Sequence, residues 1–285
     1  GKWVADSRQM GGVLSADDLR GCKARVMQAV EHSWRGRTLQ LTGPLTAAPT
    51  AAEVLRQMEG ARFGKAPDAA WYVALARALK AAYARRLTSL GDAEPQAAES
   101  CTTHITVADA DGTMVAMTTT LLSSMGSRVV LPQTGVLMNN GVMWFDPSPG
   151  KPNSIAPGKR PLTNMFPIIL RDGGKPWIAA GASGGRRIMA SVLQMMSFTA
   201  DFGMSPSAAA HQPRIDVSDP DKVTADRKLA PEIISALQAD GPVEVVEHGV
   251  LPLNFACPNL IAQADGARTG ISDAASPWSG AVAQA

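Results

Sequence analysis

The sequence lacks the features that mark disulfide-rich, zinc-binding, nucleic-acid-binding or membrane-spanning proteins. Its 285 residues include 3 Cys, 2 Tyr and 6 Phe, and the formal net charge is +2. The cysteines are odd in number, far apart and without a CxxC pair, which argues against a disulfide framework or a zinc site. A balanced charge and few aromatic side chains argue against a nucleic-acid binder. No apolar run reaches the roughly 18–20 residues of a membrane span.

Two further absences concern the N-terminus. The chain begins at Gly1 and not at Met, and no basic stretch followed by an apolar run indicates a signal peptide. We therefore expect the chain to be the latter part of a longer precursor, and the compartment stays open. Its length suits one large domain or two ordinary ones, which can bury a core without a metal or a disulfide.

The first hundred residues are Ala-rich and predicted to be mainly helical. Ser15, followed by two aspartates, predicts an N-cap and a helix that continues to about Val30. Residues 41–52 contain Pro and Gly without a clear period and predict a loop. Apolar residues at 3.6-residue spacing predict a helix over residues 68–90, closed by Gly91.

The sequence changes character at Cys101. Residues 91–100 are small and polar, as in an exposed segment that a protease, including a self-cleaving one, can reach. Beyond Cys101, three pairs of β-prone runs flank short turns rich in Asp and Gly, and each pair predicts a hairpin. These hairpins join residues 104–108 to 114–121, 167–170 to 177–180, and 260–264 to 268–272.

The other segments predict two helices and one long loop. The helices span residues 186–202 and 231–239, the second with Pro in its first turn. Residues 135–160 are rich in Pro, Gly and Asn and are too long for a simple connection, so they predict a functional loop. Hairpins and helices without an alternating βαβ rhythm predict an α+β fold with antiparallel sheets.

The first candidate for chemistry is Thr102, which follows the exposed segment at the start of a strand. A Thr hydroxyl needs an adjacent base to act as a nucleophile, and an N-terminal α-amine, which titrates near neutrality, can be that base. This chemistry requires a cut between Cys101 and Thr102. The alternative for Thr102 and Thr103 is that two β-branched residues simply begin a strand.

A second candidate feature is the glycine pair Gly184-Gly185 at a predicted strand-to-helix junction. It offers unobstructed backbone N–H groups at a helix N-terminus, as an oxyanion hole requires. A tight turn or a phosphate cradle would look similar, but the GxxxxGK[ST] spacing of a nucleotide site is absent. Thr120, on the returning strand of the first hairpin, is placed to point its hydroxyl towards Thr102.

The remaining candidates are interpreted as structural. His104 and His211 have no partner at metal-ligand spacing, and neither a metal nor a cofactor is predicted. Arg214 is expected to form a structural salt bridge. Four methionines of the helix after Gly185 and the turn that follows it are interpreted as core filler.

Four motifs in order, TTHITVADADGTMVAMTTTL, LPQTGVLMNNGVMWFDP, GKRPLTNMFP and GASGGRRI, followed by GISDAASPWSGA, resemble the γ-glutamyltransferase family of N-terminal-nucleophile hydrolases. The resemblance covers residues 102–285, and residues 1–101 resemble more weakly the C-terminal part of the family's large subunit. It implies that residues 1–101 end the large subunit, whose upstream part is absent here, and that residues 102–285 form the small subunit. The implied fold is a four-layer αββα sandwich with antiparallel sheets.

The resemblance also implies roles for the catalytic candidates. Thr102 is the self-cleaving and catalytic nucleophile, and Thr120 is the residue that hydrogen-bonds it. Gly184 and Gly185 are the oxyanion-hole pair.

The substrate contacts that the resemblance implies are less uniform. Thr163 and Asn164 stand where the family usually has paired serines that contact the carboxylate end of the substrate. Glutathione-cleaving members carry Asn, Gln and Asp where this chain has Leu122, Gly141 and Trp144. Without that carboxylate, the substrate's α-ammonium would be buried unpaired, at a cost on the order of several kcal/mol.

Asp146 is the one candidate replacement for the missing carboxylate. It lies two residues after Trp144 and, in a regular strand, on the same face. Otherwise Trp144 and Met143 line a more apolar pocket. The Arg with which the family's large subunit grips the α-carboxylate would lie in the absent portion.

Three functions stay open. The first is γ-glutamyl transfer or hydrolysis through a Thr102 ester, with a glutathione-type small molecule as substrate and water or an amine as acceptor. The second is an acylase of the cephalosporin or glutaryl-amide type, favoured by Leu122, Gly141 and Trp144. The third is an inactive fragment or non-catalytic module. The expected partners are the substrate and the two subunits of one precursor, with a further oligomer left open.

Overall fold

The computed structural model describes residues 1–90, 100–219, 221–264 and 266–284. The helices are α1 (Lys2–Gln9), α2 (Ala16–Gly21), α3 (Ala48–Met58), α4 (Ala69–Ser89), α5 (Arg187–Ala200), α6 (Pro206–His211), α7 (Pro231–Asp240) and a 3₁₀ helix at Gly141–Trp144. The strands are β1 (Val30–Trp34), β2 (Arg37–Leu41), β3 (Ser100–Ala108), β4 (Met114–Ser123), β5 (Ile168–Asp172), β6 (Lys175–Ser183), β7 (Ile215–Asp216), β8 (Val223–Asp226), β9 (Val243–Val246), β10 (Cys257–Ala264) and β11 (Ala267–Ser272).

The predicted α+β class with antiparallel sheets is confirmed. A six-stranded sheet has the order β1-β2-β5-β6-β10-β11, with every neighbouring pair antiparallel. The hairpin β3–β4 and the strands β7-β8-β9 form two smaller sheets. The three predicted hairpins are confirmed as β3–β4, β5–β6 and β10–β11. One parallel pair also occurs, because α7 connects β8 to β9 in a short βαβ unit.

The main sheet is covered on both faces. Ile178, Ala180 and Ala182 of β6 join the core cluster formed with α3, α4 and α5. Gly181, which faces the other way in a strand, lies against the ring of His104 in β3. Helices, main sheet and the β3–β4 hairpin are therefore three stacked layers.

The outer face of the β3–β4 hairpin is open in this structure. Its apolar side chains alternate with inward-facing ones, and Ile105, Val107, Val115 and Met117 are each 43–50% exposed. The described residues thus form three layers of the αββα arrangement that the resemblance implies.

The prediction of a helix from Ser15 to about Val30 is wrong beyond its first turns. The N-cap is confirmed, since Ser15 and Asp18 form a reciprocal capping box, but α2 ends at Gly21 and has no buried residue. Val30 instead begins β1, which pairs with β2 across a turn at Arg35 and Gly36, both with positive φ. Pairing of β2 with β5 brings this hairpin into the main sheet.

The predicted loop over residues 41–52 is wrong in its second half. Helix α3 begins at Ala48 and carries Pro49 in its first turn, where no intrahelical N–H is needed. The predicted helix over residues 68–90 is confirmed as α4, with the Asp68 side chain accepting from the Trp71 N–H. Gly91 and residues 91–99 lie outside the described residues.

The predicted helices after β6 and β8 are confirmed as α5 and α7, each within two residues of its expected bounds. In the part of the chain that the structure describes, none of the helices combines the length and apolar character needed to cross a bilayer.

Candidate active site

The direction in which β3 crosses the main sheet decides which end of β3 lies over which end of β6. His104, near the start of β3, lies over Gly181, near the end of β6. At the far end of the hairpin, the Gln263 side-chain amide donates to the carbonyl oxygens of both Gly112 and Pro176, and Pro176 lies near the start of β6. Strand β3 therefore runs antiparallel to β6, with its first residues over the last residues of β6.

This arrangement collects the predicted site residues at one end of the main sheet. Thr102 is two residues before His104 in β3, and Gly184-Gly185 directly follows β6. Thr163 and Asn164 precede β5, whose first residue, Ile168, pairs with β6 three residues before its end. All three sequence-distant groups are thus at the end where β3 and β5 begin and β6 finishes.

The two threonines of the hairpin are in hydrogen-bond contact. Thr102 Oγ1 and Thr120 Oγ1 are 3.0 Å apart. The Thr120 hydroxyl donates to the Cys101 carbonyl oxygen at 3.0 Å and accepts from the Leu122 N–H at 2.9 Å. A hydroxyl has a single hydrogen, so the Thr102 hydroxyl is the donor of the Thr pair. Thr120 therefore links the candidate nucleophile to the carbonyl of the candidate scissile bond.

A β-bulge lies at the same peptide bond. Thr102 pairs with Thr120, but Cys101 pairs with Leu122, so Leu121 is an extra residue on β4. Leu122 has φ +77°, in the left-handed region that side chains other than Gly, Asn and Asp rarely adopt. Bulges of this kind re-aim side chains and recur beside active sites.

The backbone at Gly184 requires glycine. Its φ is +139°, and a Cβ there would lie 2.6 Å from the Cβ of Ala256. The carbonyl oxygens of Gly184 and Gly185 accept from N–H groups in the first turn of α5. Within one peptide unit the C=O of a residue and the N–H of the next residue point in opposite directions, so the Gly185 N–H points away from the helix. The geometry suits donors for a developing oxyanion.

Thr163 and Asn164 are both engaged within the protein. The Thr163 hydroxyl donates to the Leu45 carbonyl oxygen at 3.1 Å, and the residue is 8% exposed. Asn164 Oδ1 accepts from Arg86 Nη2 at 3.0 Å, and Asn164 is half-buried. The Thr163 hydroxyl is therefore turned inward, and the Asn164 side chain is the more accessible of the two.

Arg86, which contacts the candidate residues Thr163 and Asn164, was missed in the sequence analysis. It continues the buried stripe of α4 through Leu75, Leu79 and Ala82 at helical spacing, and it is 1% exposed. The sequence did carry a signal for Arg86, namely a charged residue on an apolar helix stripe. A buried guanidinium needs several hydrogen-bond acceptors, so such a residue indicates a polar cluster.

The expectation that Asp146 shares the face of Trp144 is wrong, because residues 141–144 form a 3₁₀ helix and not a strand. Asp146 is 5% exposed and pairs with Lys151 at 2.9 Å. The hydrogen bond from Lys151 and a backbone hydrogen bond from Ser148 hold the pKa of Asp146 below its usual value. Its charge is thus already balanced by a cation of the protein.

The loop that carries Trp144 is fixed to the end of β4. The backbone N–H of Asn140 donates to the Leu121 carbonyl oxygen, and the Asn140 side chain accepts from the Ser123 N–H. Trp144 is half-buried in this loop, and its neighbour Met143 is 41% exposed. The predicted substrate loop is therefore attached to the strand that bears Thr120.

The residues interpreted as structural have structural contacts. His104 Nδ1 is 2.8 Å from Thr118 Oγ1, and burial lowers the pKa of His104 to about 4. The predicted salt bridge of Arg214 is confirmed: Arg214 and Asp273 form a buried ion pair. Among the described residues, no three His, Cys, Asp or Glu side chains gather as metal ligands.

Comparison with known proteins adds to this geometry. The family model described as gamma-glutamyltranspeptidase matches residues 1–101 and 93–276. The chain is 26% identical over 321 residues to a glutathione hydrolase proenzyme of Escherichia coli K12, covering 94% of this chain and 54% of that protein. It is 31% identical over 246 residues to the acylase ACY 1 proenzyme of Pseudomonas sp. strain SE83, covering 72% of this chain and 43% of that protein.

A solved structure shows the same fold. The cephalosporin acylase of Bacillus halodurans superimposes with a TM-score of 0.85 at 24% sequence identity, covering 96% of this chain and 56% of that chain. The chain spans about half the length of these two curated relatives.

Proposed function

The chain belongs to the gamma-glutamyltranspeptidase family, and from this premise we propose that it carries an amide hydrolase or acyltransferase centre whose nucleophile is Thr102. The observation that carries the proposal is the contact of Thr120 with both Thr102 Oγ1 and the Cys101 carbonyl oxygen, each at 3.0 Å. Because the relatives are about twice as long, the proposal concerns the chemistry that this part of such a protein holds.

The first reaction is scission of the chain's own peptide bond between Cys101 and Thr102. Thr102 Oγ1 attacks the Cys101 carbonyl carbon, and Thr120 polarises the carbonyl oxygen by donating to it. The C–N bond breaks as the Thr102 nitrogen takes up the proton that the attacking hydroxyl gives up, which leaves an ester. Water then hydrolyses the ester, giving a carboxylate at Cys101 and a free α-amine and hydroxyl at Thr102. The pieces 1–101 and 102–285 remain in one core.

The second reaction uses the amine that the first one creates. The free α-amine of Thr102 accepts the hydroxyl proton while Oγ1 attacks the amide carbonyl of the substrate. The N–H groups of Gly184 and Gly185 stabilise the oxyanion, and the proton passes to the departing amine. Water or a second amine then takes the acyl group from Thr102.

The substrate class is γ-glutamyl amides of the glutathione type, as the named glutathione hydrolase relatives suggest. A second candidate is an acylase that takes an acyl chain without an α-ammonium. The pairing of Asp146 with Lys151 favours it, because Asp146 is then not available to an ammonium, and Leu122 and Trp144 carry no charge. Membership of the acylase ACY 1 proenzyme among the relatives agrees with this candidate.

Intact-mass measurement over time tests the nucleophile. We expect conversion of the full-length chain to two masses that correspond to residues 1–101 and 102–285, and no conversion in Thr102→Ala. Thr102→Ser is the matched control, because it keeps a hydroxyl at the same position. A wild-type chain that stays at full length after long incubation would favour a non-catalytic module.

The two substrate classes are separated by paired anilides. γ-Glutamyl-p-nitroanilide and glutaryl-p-nitroanilide differ only in the α-ammonium. Turnover of the first alone supports γ-glutamyl transfer, whereas equal or faster turnover of the second contradicts it and supports the acylase.

A further inference from the structure

Residues 124–140 form an arm of two antiparallel segments between β4 and the substrate loop. The Ser127 N–H donates to the Met138 carbonyl oxygen, and the Met138 N–H donates to the Val129 carbonyl oxygen, both at 2.9 Å. A turn at residues 131–135 joins the two segments and is the tip of the arm. Its base lies where β4 ends and the substrate loop begins.

The 3₁₀ helix that carries Trp144 starts directly at the base of the arm. The Asn139 side chain accepts from the Gly141 N–H at 2.9 Å, and the Met143 N–H donates to the Asn140 carbonyl oxygen at 3.0 Å. Both bonds that begin this helix therefore use acceptors from the arm. Because of these bonds, the orientation of the arm sets the position of Trp144.

Helix α1 holds the tip of the arm through one buried carboxylate. Asp6, near the middle of α1, is 0% exposed. It accepts from the Gln133 backbone N–H at 2.9 Å and from the Gln133 side-chain amide at 2.7 Å. Hydrogen bonds to an ionised acceptor are the stronger ones, and a buried carboxylate that lost them would be costly. Asp6 therefore fixes the tip of the arm to α1.

The two partners belong to different pieces after scission, Asp6 to residues 1–101 and Gln133 to residues 102–285. We propose that Asp6 is a positioning residue: by holding the tip of the arm, it keeps the substrate loop in the orientation that receives the acyl group. The first piece thereby takes part in the substrate selection of the second. This inference rests on the proposed function, because the loop meets an acyl group only if this end of the sheet binds one.

Hydrogen exchange followed by mass spectrometry tests the structural step without turnover. Asp6→Ala removes both acceptors and leaves a strong helix former in α1. Since hydrogen bonds to a charged group contribute about 1.5–3 kcal/mol, we expect the amides of residues 127–145 to exchange at least about tenfold faster. The amides of β5 and β6 should exchange as in wild type.

Two variants control for the loss of the carboxylate. Asp6→Asn keeps an oxygen that accepts from the Gln133 N–H, and its amide nitrogen can donate to the Gln133 side-chain oxygen. It should therefore exchange within about threefold of wild type. Gln9→Ala changes an exposed residue of the same helix and should have no effect.

Steady-state kinetics test the positioning role. If only a fraction of the molecules holds the substrate loop in place, the apparent affinity falls by that fraction. In Asp6→Ala, KM for the anilide that wild type prefers should rise about three- to tenfold, with kcat and the rate of scission within about twofold of wild type. A simple loss of folded enzyme would instead lower kcat and leave KM unchanged.

The outcomes separate this inference from the function on which it rests. Wild-type exchange over residues 127–145 in Asp6→Ala would overturn the inference, and so would faster exchange confined to residues 131–135. An unchanged KM in an active Asp6→Ala enzyme would also overturn it. If wild type neither cleaves itself nor turns over an anilide, the proposed function fails, and the exchange of residues 141–145 still decides whether Asp6 holds the loop.

Discussion

The catalytic hairpin, which carries Thr102 and Thr120, and the substrate loop, which carries Trp144 and Asp146, are built in different ways. The two threonines are cross-strand neighbours, so pairing of β3 with β4 alone brings their hydroxyl groups to 3.0 Å. The substrate loop has no multi-residue strand ladder, and it is held by contacts with the end of β4, by the Asp146–Lys151 pair and by hydrogen bonds to residues 153–155.

In the proposed function, this difference means that the chemistry and the specificity of the site would rest on separate structural supports. The proposed nucleophile would be activated by adjacent strands and a helix start, which many side-chain changes elsewhere would not disturb. In the proposed function, selection of the acyl group would depend on individual side chains, among them Leu122, Trp144 and Asp146. The following predictions test whether the two supports can be broken independently.

The largest effect is expected from removal of the Thr120 hydroxyl. Thr120→Val keeps the β-branched shape but loses the bonds to Cys101 and Thr102, so scission should slow about 10³-fold or more. Quantitative mass spectrometry of freshly purified protein measures the rate, and Thr120→Ser should remain close to wild type. Scission of Thr120→Val at the wild-type rate would show that the bulge alone activates the bond.

Gly184 tests the oxyanion end of the catalytic region. A Cβ in Gly184→Ala would overlap Ala256 at 2.6 Å, and the φ of +139° adds backbone strain. We expect kcat to fall about 10²- to 10³-fold, together with a loss of stability of about 1–3 kcal/mol. Gly203→Ala is the matched control, because Gly203 has φ +66° and open space around its Cβ position. It should lose stability but retain kcat, and equal kcat losses would refute the oxyanion role.

Much of the catalytic region could be predicted from sequence because its signals are local. Asp-Gly turns between β-prone runs predict the hairpins, and β3–β4 then places Thr120 opposite Thr102. The glycine pair before α5 could likewise be recognised in the sequence, because only a few backbone conformations leave no room for a side chain. A family resemblance added roles to positions that the pattern had already selected.

What the sequence did not predict depends on contacts between distant residues. The β1–β2 hairpin was missed because its turn at Arg35-Gly36 lacks the usual Asn-Gly or Asp-Gly signal. The hairpin also depends on the pairing of β2 with β5, which is distant in sequence. Arg86 meets Asn164 from a helix almost eighty residues upstream. Asp146 was misplaced because a strand was assumed where a 3₁₀ helix occurs.

The attachment of the catalytic hairpin to the main sheet should weaken in acid. Because His104 is buried and neutral, its pKa of about 4 is below the value near 6.5 of an unfolded chain. Above about pH 6.5 His104 is unprotonated in both the folded and the unfolded protein, so it does not change the free energy of unfolding. As the pH falls towards 4, only the unfolded chain takes up the proton, so the free energy of unfolding decreases by up to about 3 kcal/mol.

Urea unfolding at pH 7 and pH 4.5 measures this effect. His104→Phe cannot be protonated and should lose about 2–3 kcal/mol less stability than wild type between the two pH values. His211→Gln is the control, because His211 is exposed at the end of α6 and should lose as much as wild type. Equal losses in wild type and His104→Phe would mean that His104 is protonated without cost.

The smallest effect concerns Leu122, where the two supports meet. Its φ of +77° strains a leucine, whereas asparagine adopts this region more readily, and its N–H still has to reach Thr120 Oγ1. Leu122→Asn should therefore raise the free energy of unfolding by about 0.5–1 kcal/mol and leave the scission rate unchanged. The amide would also restore a polar contact beside the nucleophile and shift turnover from glutaryl- towards γ-glutamyl-p-nitroanilide. Leu122→Ala, which keeps the strain and loses the packing, is the matched control for stability. If Leu122→Asn instead slows scission, specificity and activation share this residue, and the separation of the two supports fails here.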